Sequence, residues 1–303
     1  MDTSGGQLED IEEEENSVHA AKNWILPSAD FEGLWESLIF DVGVKESLLS
    51  YVEVTMLLSE RGVDPNLVTW NRVVLFHGPP GTGKTSLCQA LSHKLCLRLG
   101  SRFDYGHLVE INSHSLFSKW FSESGKLVQR MFETIEDLVN DPRALVCVLI
   151  DEVESLAAAR NRCGNEPSDA TRVVNAVLTQ LDNIKRRKNV LILTSALNIV
   201  FLPMGTSNEI MNCLNLHLLL ASNVTGMIDL AFVDRADLKR YIGPPSAEAA
   251  YGILRGSALE LMKKRIVAHD NICVDFKKMM TVKSQGMKKL EKNQLLDLLI
   301  VLI

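Results

Sequence analysis

Apolar residues recur along this chain in two patterns, and their alternation predicts the fold. Short unbroken apolar runs, typical of strands buried on both faces, occur at Val73–His77, 108–111, 145–150 and 190–194, with a weaker one at 240–242. Between these runs, apolar positions repeat at helical spacing over 86–99, 124–140 and 168–184. Strands that alternate with helices pair in parallel through right-handed crossovers. The sequence therefore predicts an α/β fold, a three-layer α/β/α sandwich around a parallel sheet.

The two ends of the chain depart from this alternation. Residues 1–23 begin with an acidic run and predict a flexible tail, so the ordered chain should start near Trp24. Helical spacing within 31–58 then predicts a helix, a turn at 41–43 and a longer helix. After the last strand, the pattern over 249–264 is again helical.

Charge is concentrated in the tail and is nearly balanced elsewhere. Seven of the first fifteen residues are acidic and none is basic. Without these seven, the 38 acidic residues of the chain fall to 31, against 32 basic residues. A nearly neutral body has no bulk attraction for nucleic acid, so we expect no direct nucleic-acid partner.

Neither the cysteines nor the apolar segments indicate secretion or a membrane. The six cysteines are scattered without a Cys-x-x-Cys pair, and no secretory signal precedes the acidic run. This pattern is typical of reduced thiols in the cytosol or nucleus. The charge-free apolar stretch at 298–303 is far short of the roughly 20 residues that a membrane-spanning helix needs. We therefore expect no membrane association.

The strand predicted at 73–77 leads directly into a complete phosphate-binding loop. Its residues are Gly78, Pro79, Pro80, Gly81, Thr82, Gly83, Lys84 and Thr85. The glycines let backbone N–H groups turn toward phosphate oxygens, while Lys84 reaches the β- and γ-phosphates and the Thr85 hydroxyl reaches Mg²⁺. A glycine-rich surface turn is the alternative. The strand before the loop and the helix after it favour a nucleotide triphosphate site instead.

The strand predicted at 145–150 supplies the second half of such a site. It ends in Asp151 and Glu152, at the carboxyl edge where open α/β sheets bind ligands. Asp151 would hold Mg²⁺, directly or through water, and Glu152 would orient and deprotonate the attacking water. The alternative is a solvated acidic pair that caps a following helix at 153–160.

Longer motifs extend these two signals. They are the segments 67–74, 111–126, 151–156 and 232–237, together with the phosphate loop. In these motifs the chain resembles the AAA+ ATPases and, within them, the pachytene checkpoint ATPases, over about 23–195 and again over 222–262. The resemblance implies a P-loop AAA+ module that binds ATP and Mg²⁺ and hydrolyses ATP.

The resemblance also implies partners and further site residues. Members of this family form homo-hexamers that remodel HORMA-domain proteins, with an adaptor, in meiotic axis control and spindle-checkpoint silencing, hence in the nucleus and cytoplasm. Trp120 and Phe121 match the pore loop that grips the threaded chain; two core residues of a helix are the alternative. Arg235 matches the arginine that reaches a neighbouring subunit's γ-phosphate; an ion pair with Asp234 or Asp237 is the alternative.

Two stretches depart from the family pattern. The family carries a polar residue, usually asparagine, directly after the strand that ends here at Ser195. In this chain the matching Asn223 follows an apolar insertion over 196–221, so it can orient the attacking water only if the insertion loops out; Asn198 is a less favoured substitute.

The helical lid of the family also starts here but diverges near residue 267. The predicted organisation is therefore a tail over 1–23, an AAA+ large domain over 24–243 and an incomplete lid over 244–303, which should weaken nucleotide affinity and the hexamer.

Three functions stay open on the sequence. The first is an ATP-hydrolysing remodeller of HORMA-domain proteins. The second is a hydrolysis-impaired nucleotide-binding variant that regulates hexamers of the full-length protein. The third is a nucleic-acid-stimulated motor, which the neutral body and the aromatic loop disfavour.

Overall fold

One mixed sheet organises the part of the chain that the computed structural model describes, which comprises residues 21–64, 67, 72–113, 124–155, 169–185, 187–196 and 230–266. The strands are β1 (Ala21–Leu26), β2 (Val73–His77), β3 (Tyr105–Asn112), β4 (Ala144–Asp151), β5 (Val190–Ala196) and β6 (Leu238–Tyr241). The helices are α1 (Leu34–Ser37), α2 (Val44–Glu60), α3 (Lys84–Arg98), α4 (Ser124–Asn140), α5 (Asp169–Ile184), α6 (Leu230–Arg235) and α7 (Ala247–Lys263).

The six strands lie in the order β1-β3-β4-β5-β2-β6. Neighbouring strands pair in parallel, except that β1 runs antiparallel to β3. The α/β fold class predicted from the sequence is confirmed, and each predicted strand is present. β6 differs in extent, because it covers Leu238–Tyr241 rather than 240–242.

β1 corrects the predicted start of the ordered chain. The strand begins at Ala21, so the predicted tail over 1–23 overlaps the sheet and Trp24 lies inside β1. β1 forms one edge of the sheet and mixes exposed with partly buried residues; Ile25, for example, is 62% exposed. It therefore lacks the continuous apolar run that marks the internal strands. Its antiparallel pairing also makes the sheet mixed rather than wholly parallel.

β4 lies at the centre of the hydrophobic core. All of its residues before Asp151 are buried, and successive side chains of a strand point to opposite faces. Val146 and Val148 belong to a cluster with residues of α4 and α5, whereas Cys147 and Leu149 belong to a second cluster with residues of α2 and α3. A buried layer on each face of the sheet thus explains the unbroken apolar run.

The three described cysteines, Cys88, Cys96 and Cys147, are buried and free. Burial raises the pKa of the Cys147 thiol to about 12, so this thiol stays protonated at neutral pH. Among the described helices, none combines the length and the apolar character needed to cross a membrane.

Asn189 ties the loop after α4 to the start of β5. Its side chain is 7% exposed, and its Nδ2 lies 3.0 Å from the Val139 carbonyl, 3.1 Å from that of Asp141 and 3.0 Å from that of Ala144. The Asn189 carboxamide thus donates to carbonyls at the end of α4, in the following loop and at the start of β4, and it holds these three segments together. Buried carbonyls that lose such a donor destabilise the fold.

We predict that Asn189→Ala lowers the free energy of unfolding by about 1–3 kcal/mol, because it leaves buried carbonyls without their donor. Urea denaturation of the full chain measures this change. Asn183→Ala is the matched control: Asn183 is exposed on α5, and its replacement should change stability by less than about 0.5 kcal/mol. Equal losses in the two variants would contradict the role given to Asn189.

Candidate functional site

The phosphate loop predicted from the sequence connects β2 to α3 directly. β2 ends at His77, and α3 begins at Lys84 after Gly83, which adopts a left-handed backbone with φ 84°. A residue with a Cβ is strained in this conformation, so glycine suits the turn. The turn places the N-terminus of α3, with its unpaired N–H groups and positive dipole end, at the carboxyl edge of the sheet. Such a terminus favours an anionic ligand.

Gly78 is required by a close approach of backbone from elsewhere in the chain. The Ile242 N–H donates to the His77 carbonyl at 2.8 Å, which extends the pairing of β2 with β6. A Cβ on Gly78 would lie 2.0 Å from the Ile242 carbonyl oxygen. This position therefore admits no side chain unless the loop or the segment after β6 moves.

The Lys84 side chain lies along the inside of the loop. It is 8% exposed, and its Nζ donates to the carbonyls of Gly78 at 2.9 Å and Pro79 at 2.7 Å. Burial lowers the pKa of Lys84, while the nearby carboxylates of Glu154 and Asp151 oppose that shift. The ammonium is thus held between the loop and the end of β4, where phosphate oxygens would meet it.

Thr85 and Asp151 meet across the site. The Thr85 hydroxyl lies 3.1 Å from Oδ1 and 3.0 Å from Oδ2 of Asp151. The two residues meet although β5 lies between β4, which ends in Asp151, and β2, which precedes the loop and α3. Hydroxyl and carboxylate oxygens are hard ligands of the kind that Mg²⁺ takes in nucleotide sites, together with waters and phosphate oxygens. In the described part of the chain, no group of three or more His, Cys, Asp or Glu residues forms a separate metal site. The residues present fit Mg²⁺ bound with a nucleotide.

Glu152 follows Asp151 in an unusual backbone conformation. Its φ is 56°, in the left-handed region that residues with a side chain rarely adopt, and its side chain is exposed. Non-glycine residues held in this way cluster at active sites and ligand-binding turns. The residues after it begin a helical turn, in which the Ser155 N–H donates to the Glu152 carbonyl at 2.9 Å. An exposed carboxylate and the start of a helix are therefore both present here.

Ser195 belongs to the same cluster, although the sequence predicts no role for it. Its hydroxyl donates to Asp151 Oδ1, and its oxygen lies 3.4 Å from the Glu152 backbone nitrogen. The Ser195 carbonyl accepts from the Val153 N–H at 3.1 Å. A signal was available in the sequence, because Ser195 is a polar residue at the carboxyl end of an apolar strand.

The segment between α1 and α2 forms a wall beside the phosphate loop. A cavity of about 330 Å³ is lined there by Phe40, Asp41, Val42 and Gly43 of this segment and by Lys45 and Glu46 at the start of α2. The tip of the Phe40 ring lies 3.6 Å from where a Cβ on Gly83 would stand, so the ring packs against the loop. The sequence predicted only a turn at 41–43, whereas the structure places this turn next to the candidate nucleotide site.

Arg235 lies away from the other predicted site residues. At the end of α6, its Nε lies 3.0 Å from Oδ1 of Asp182 on α5, and its Nη2 lies 2.6 Å from Oδ2. This carboxylate is neither of the two, Asp234 and Asp237, that the surface ion-pair alternative named. The arginine that matches the family's catalytic one is thus already engaged within its own chain.

The remaining predicted site residues, Trp120, Phe121 and Asn223, lie outside the described residues. The same holds for the insertion over 196–221, apart from Ala196, which ends β5. Their predicted roles stay predictions.

The sequence of this chain matches one family model and several curated proteins. The profile of the ATPase family associated with various cellular activities (AAA) matches residues 74–244. Pachytene checkpoint protein 2 homologues of rat and human are each 57% identical to the chain over 269 residues, which is 88% of this chain and 56% of each homologue. The chain therefore spans a little over half the length of these curated relatives.

Solved structures give the same picture. The structure of C. elegans PCH-2 matches with a TM-score of 0.69 at 38% identity, over 92% of this chain and 64% of that one. A chain of the E. coli MS115-1 HORMA:CdnC:Trip13 complex matches with a TM-score of 0.59 at 14% identity, over 93% of this chain and 94% of that one. The second likeness shows a shared fold.

We predict that Gly78→Ala weakens nucleotide binding by at least about tenfold, a cost of about 1.4 kcal/mol, because the loop must move away from the Ile242 carbonyl. Titration of the full chain with a fluorescent ATP analogue measures the affinity. Gly256→Ala on α7 is the matched control, since nothing lies within 4 Å of a Cβ there. Unchanged affinity in a folded Gly78→Ala protein would show that the close approach is not a constraint on the loop.

Proposed function

Because this chain belongs to the AAA family of ATPases, and within it to the group of the pachytene checkpoint protein 2 homologues, we propose that it is an ATP-driven remodeller of HORMA-domain proteins. The observation that carries the proposal is the meeting of Thr85 with Asp151 beside a complete phosphate loop. The HORMA part rests on the motif resemblance and on the relative that is seen in a HORMA:CdnC:Trip13 complex.

In this proposal the loop binds ATP through backbone and side-chain groups. The backbone N–H groups of 81–83 and of the first turn of α3 hold the phosphates, and Lys84 exchanges its contacts with the Gly78 and Pro79 carbonyls for phosphate oxygens. Thr85 and Asp151 would hold the Mg²⁺ ion. When bound, Mg²⁺ neutralises phosphate charge during transfer to water. The cavity lined by Phe40 and its neighbours lies beside the loop and has room for the remaining part of the nucleotide.

Glu152 is the proposed general base. Its carboxylate is exposed at the end of β4, and its backbone is fixed by contacts to Asp151 and Ser195. A carboxylate in this place can orient a water molecule and accept its proton as the water attacks the γ-phosphate. Asn223 is the proposed second group that orients the water.

Arg235 is proposed to act on a neighbouring subunit, because its own site lies too far away. β6 pairs with β2 in parallel, and Leu238 is level with Val74 at the amino end of β2. The strand from Val73 to His77 spans about 13 Å at about 3.3 Å per residue, and the phosphate loop lies beyond its far end. Release from Asp182 would let Arg235 stabilise transition-state charge in the next subunit of a homo-hexamer.

Work on the substrate is assigned to Trp120 and Phe121. Adjacent aromatic side chains in a central pore can grip an extended chain through apolar contact without reading its sequence. With an adaptor, such a hexamer would act on HORMA-domain proteins in meiotic recombination and spindle-checkpoint silencing, in the nucleus and the cytoplasm.

One observation favours a second function, a nucleotide-binding variant with impaired hydrolysis that regulates hexamers of the full-length protein. Ala196 pairs with His77 at the end of β5, next to the phosphate loop. A methyl group there cannot orient water, although the family pattern places a polar residue directly after Ser195. Steady-state ATP turnover separates this reading from the remodeller.

We predict that Glu152→Gln lowers ATP turnover by at least about 100-fold while nucleotide affinity changes by less than about twofold, because the amide cannot accept the proton. Phosphate release by the purified chain measures turnover. Glu133→Gln, at an exposed carboxylate on α4, is the control and should keep the parental rate. Equal rates in the parental and Glu152→Gln chains, with binding retained, would favour the regulatory variant.

A mixing experiment tests the role of Arg235 between subunits. Lys84→Ala and Arg235→Ala should each be inactive alone, yet an equimolar mixture should recover turnover, because about one interface in four then joins an intact loop to an intact arginine. Mixing Lys84→Ala with Glu152→Gln is the control and should recover nothing, since both changes damage the same site. Failure of the first mixture to recover, with mixed oligomers verified, would place Arg235 in a purely intrachain role.

A further inference from the structure

Ser195 occupies a central position among the groups at the carboxyl edge of the sheet. It is 2% exposed, and β5 lies between β4, which carries Asp151, and β2, which carries the phosphate loop. Its hydroxyl both donates to Asp151 Oδ1 and lies within 3.4 Å of the Glu152 backbone nitrogen. Its backbone carbonyl also accepts from the Val153 N–H at 3.1 Å.

We propose that Ser195 is the positioning residue of this site, which fixes the Asp151 carboxylate for Mg²⁺ and supports the Glu152 backbone. This inference rests on the nucleotide site of the proposed function. The Asp151 carboxylate receives hydroxyl donors from two directions, Thr85 on α3 and Ser195 on β5. A carboxylate held from two sides keeps one rotamer, and such outer partners orient metal ligands.

The same hydroxyl supports the strained turn at Glu152. With φ at 56°, the Glu152 backbone is held by the Asp151 and Ser195 oxygens near its nitrogen and by the Val153 contact that follows. Sparsely populated backbone conformations persist where surrounding contacts determine them. Loss of the hydroxyl would therefore loosen both carboxylates at once, although Ser195 itself need not touch the nucleotide.

The preceding residue provides an internal comparison. Thr194 is buried as deeply, at 3% exposure, and its hydroxyl donates to the Val74 carbonyl at 3.2 Å. This bond joins β5 to β2 within the sheet and does not involve the strand-end carboxylates. Two adjacent buried hydroxyls thus differ in what they hold: one holds the sheet and the other holds the site.

The test measures how binding of a fluorescent ATP analogue to the full chain depends on Mg²⁺ concentration. For Ser195→Ala, the Mg²⁺ concentration at half-saturation should rise by about tenfold or more, the usual effect of removing an outer partner of a metal ligand. Binding in EDTA should change by less than about twofold, because the loop and Lys84 supply it. Ser195→Cys nearly keeps the side-chain size but donates weakly, so it should show the same shift in the Mg²⁺ half-saturation point. It replaces Ser195→Ala if that variant does not fold.

Thr194→Val is the matched control. It should lower the melting temperature yet leave the Mg²⁺ half-saturation point unchanged. The proposal is overturned by an unchanged point in Ser195→Ala, by an equal shift in Thr194→Val, or by an equal loss of binding in EDTA. If the parental chain binds with Mg²⁺ dependence but shows no turnover, the remodeller proposal fails while the Ser195 result stands. If it shows no Mg²⁺-dependent binding, both fail.

Discussion

Parallel pairing of β4, β5 and β2 is the constraint on which the whole site depends. Ile150 pairs with Thr194 and His77 pairs with Ala196, so the three strands end within a residue or two of one another. The groups that follow each strand must then share one crevice at the carboxyl edge. Apolar layers on both faces hold this register, because a slip by one residue would turn every side chain to the opposite face.

The parts of the site that the sequence predicts are those with local signals. The phosphate loop is contiguous, and the strand that ends in Asp151 is an unbroken apolar run, so both are visible without any tertiary information. Once the strands are taken as parallel, the contact between Thr85 and Asp151 follows. For Ser195 the sequence offers only a weak signal, a polar residue at the end of an apolar strand. Its importance arises from the position of β5 between β4 and β2, and hydrophobic periodicity does not encode strand order.

The other differences from the sequence predictions also come from contacts between distant segments. The apolar pattern of an edge strand is weak, so the sequence assigns the first three residues of β1 to the tail. Phe40 reaches the phosphate loop across more than forty residues of sequence, and Asp182 pairs with Arg235 across 53. Nearby acidic residues were the natural partners to expect for this arginine. The actual partner, Asp182 on α5, is far from Arg235 in sequence, and only the fold brings the two side chains together.

The contact between Ile242 and the phosphate loop has a mechanical consequence. The Ile242 N–H is bonded to His77, and α7 begins at Ala247 with Ser246 as its cap, whose Oγ accepts from the Ala249 N–H at 3.3 Å. Both ends of the connection are anchored, so bending between the sheet and α7 is confined to 243–246. Any rotation of α7 against the sheet would therefore bend the chain within 243–246, directly beside Gly78 and the phosphate loop.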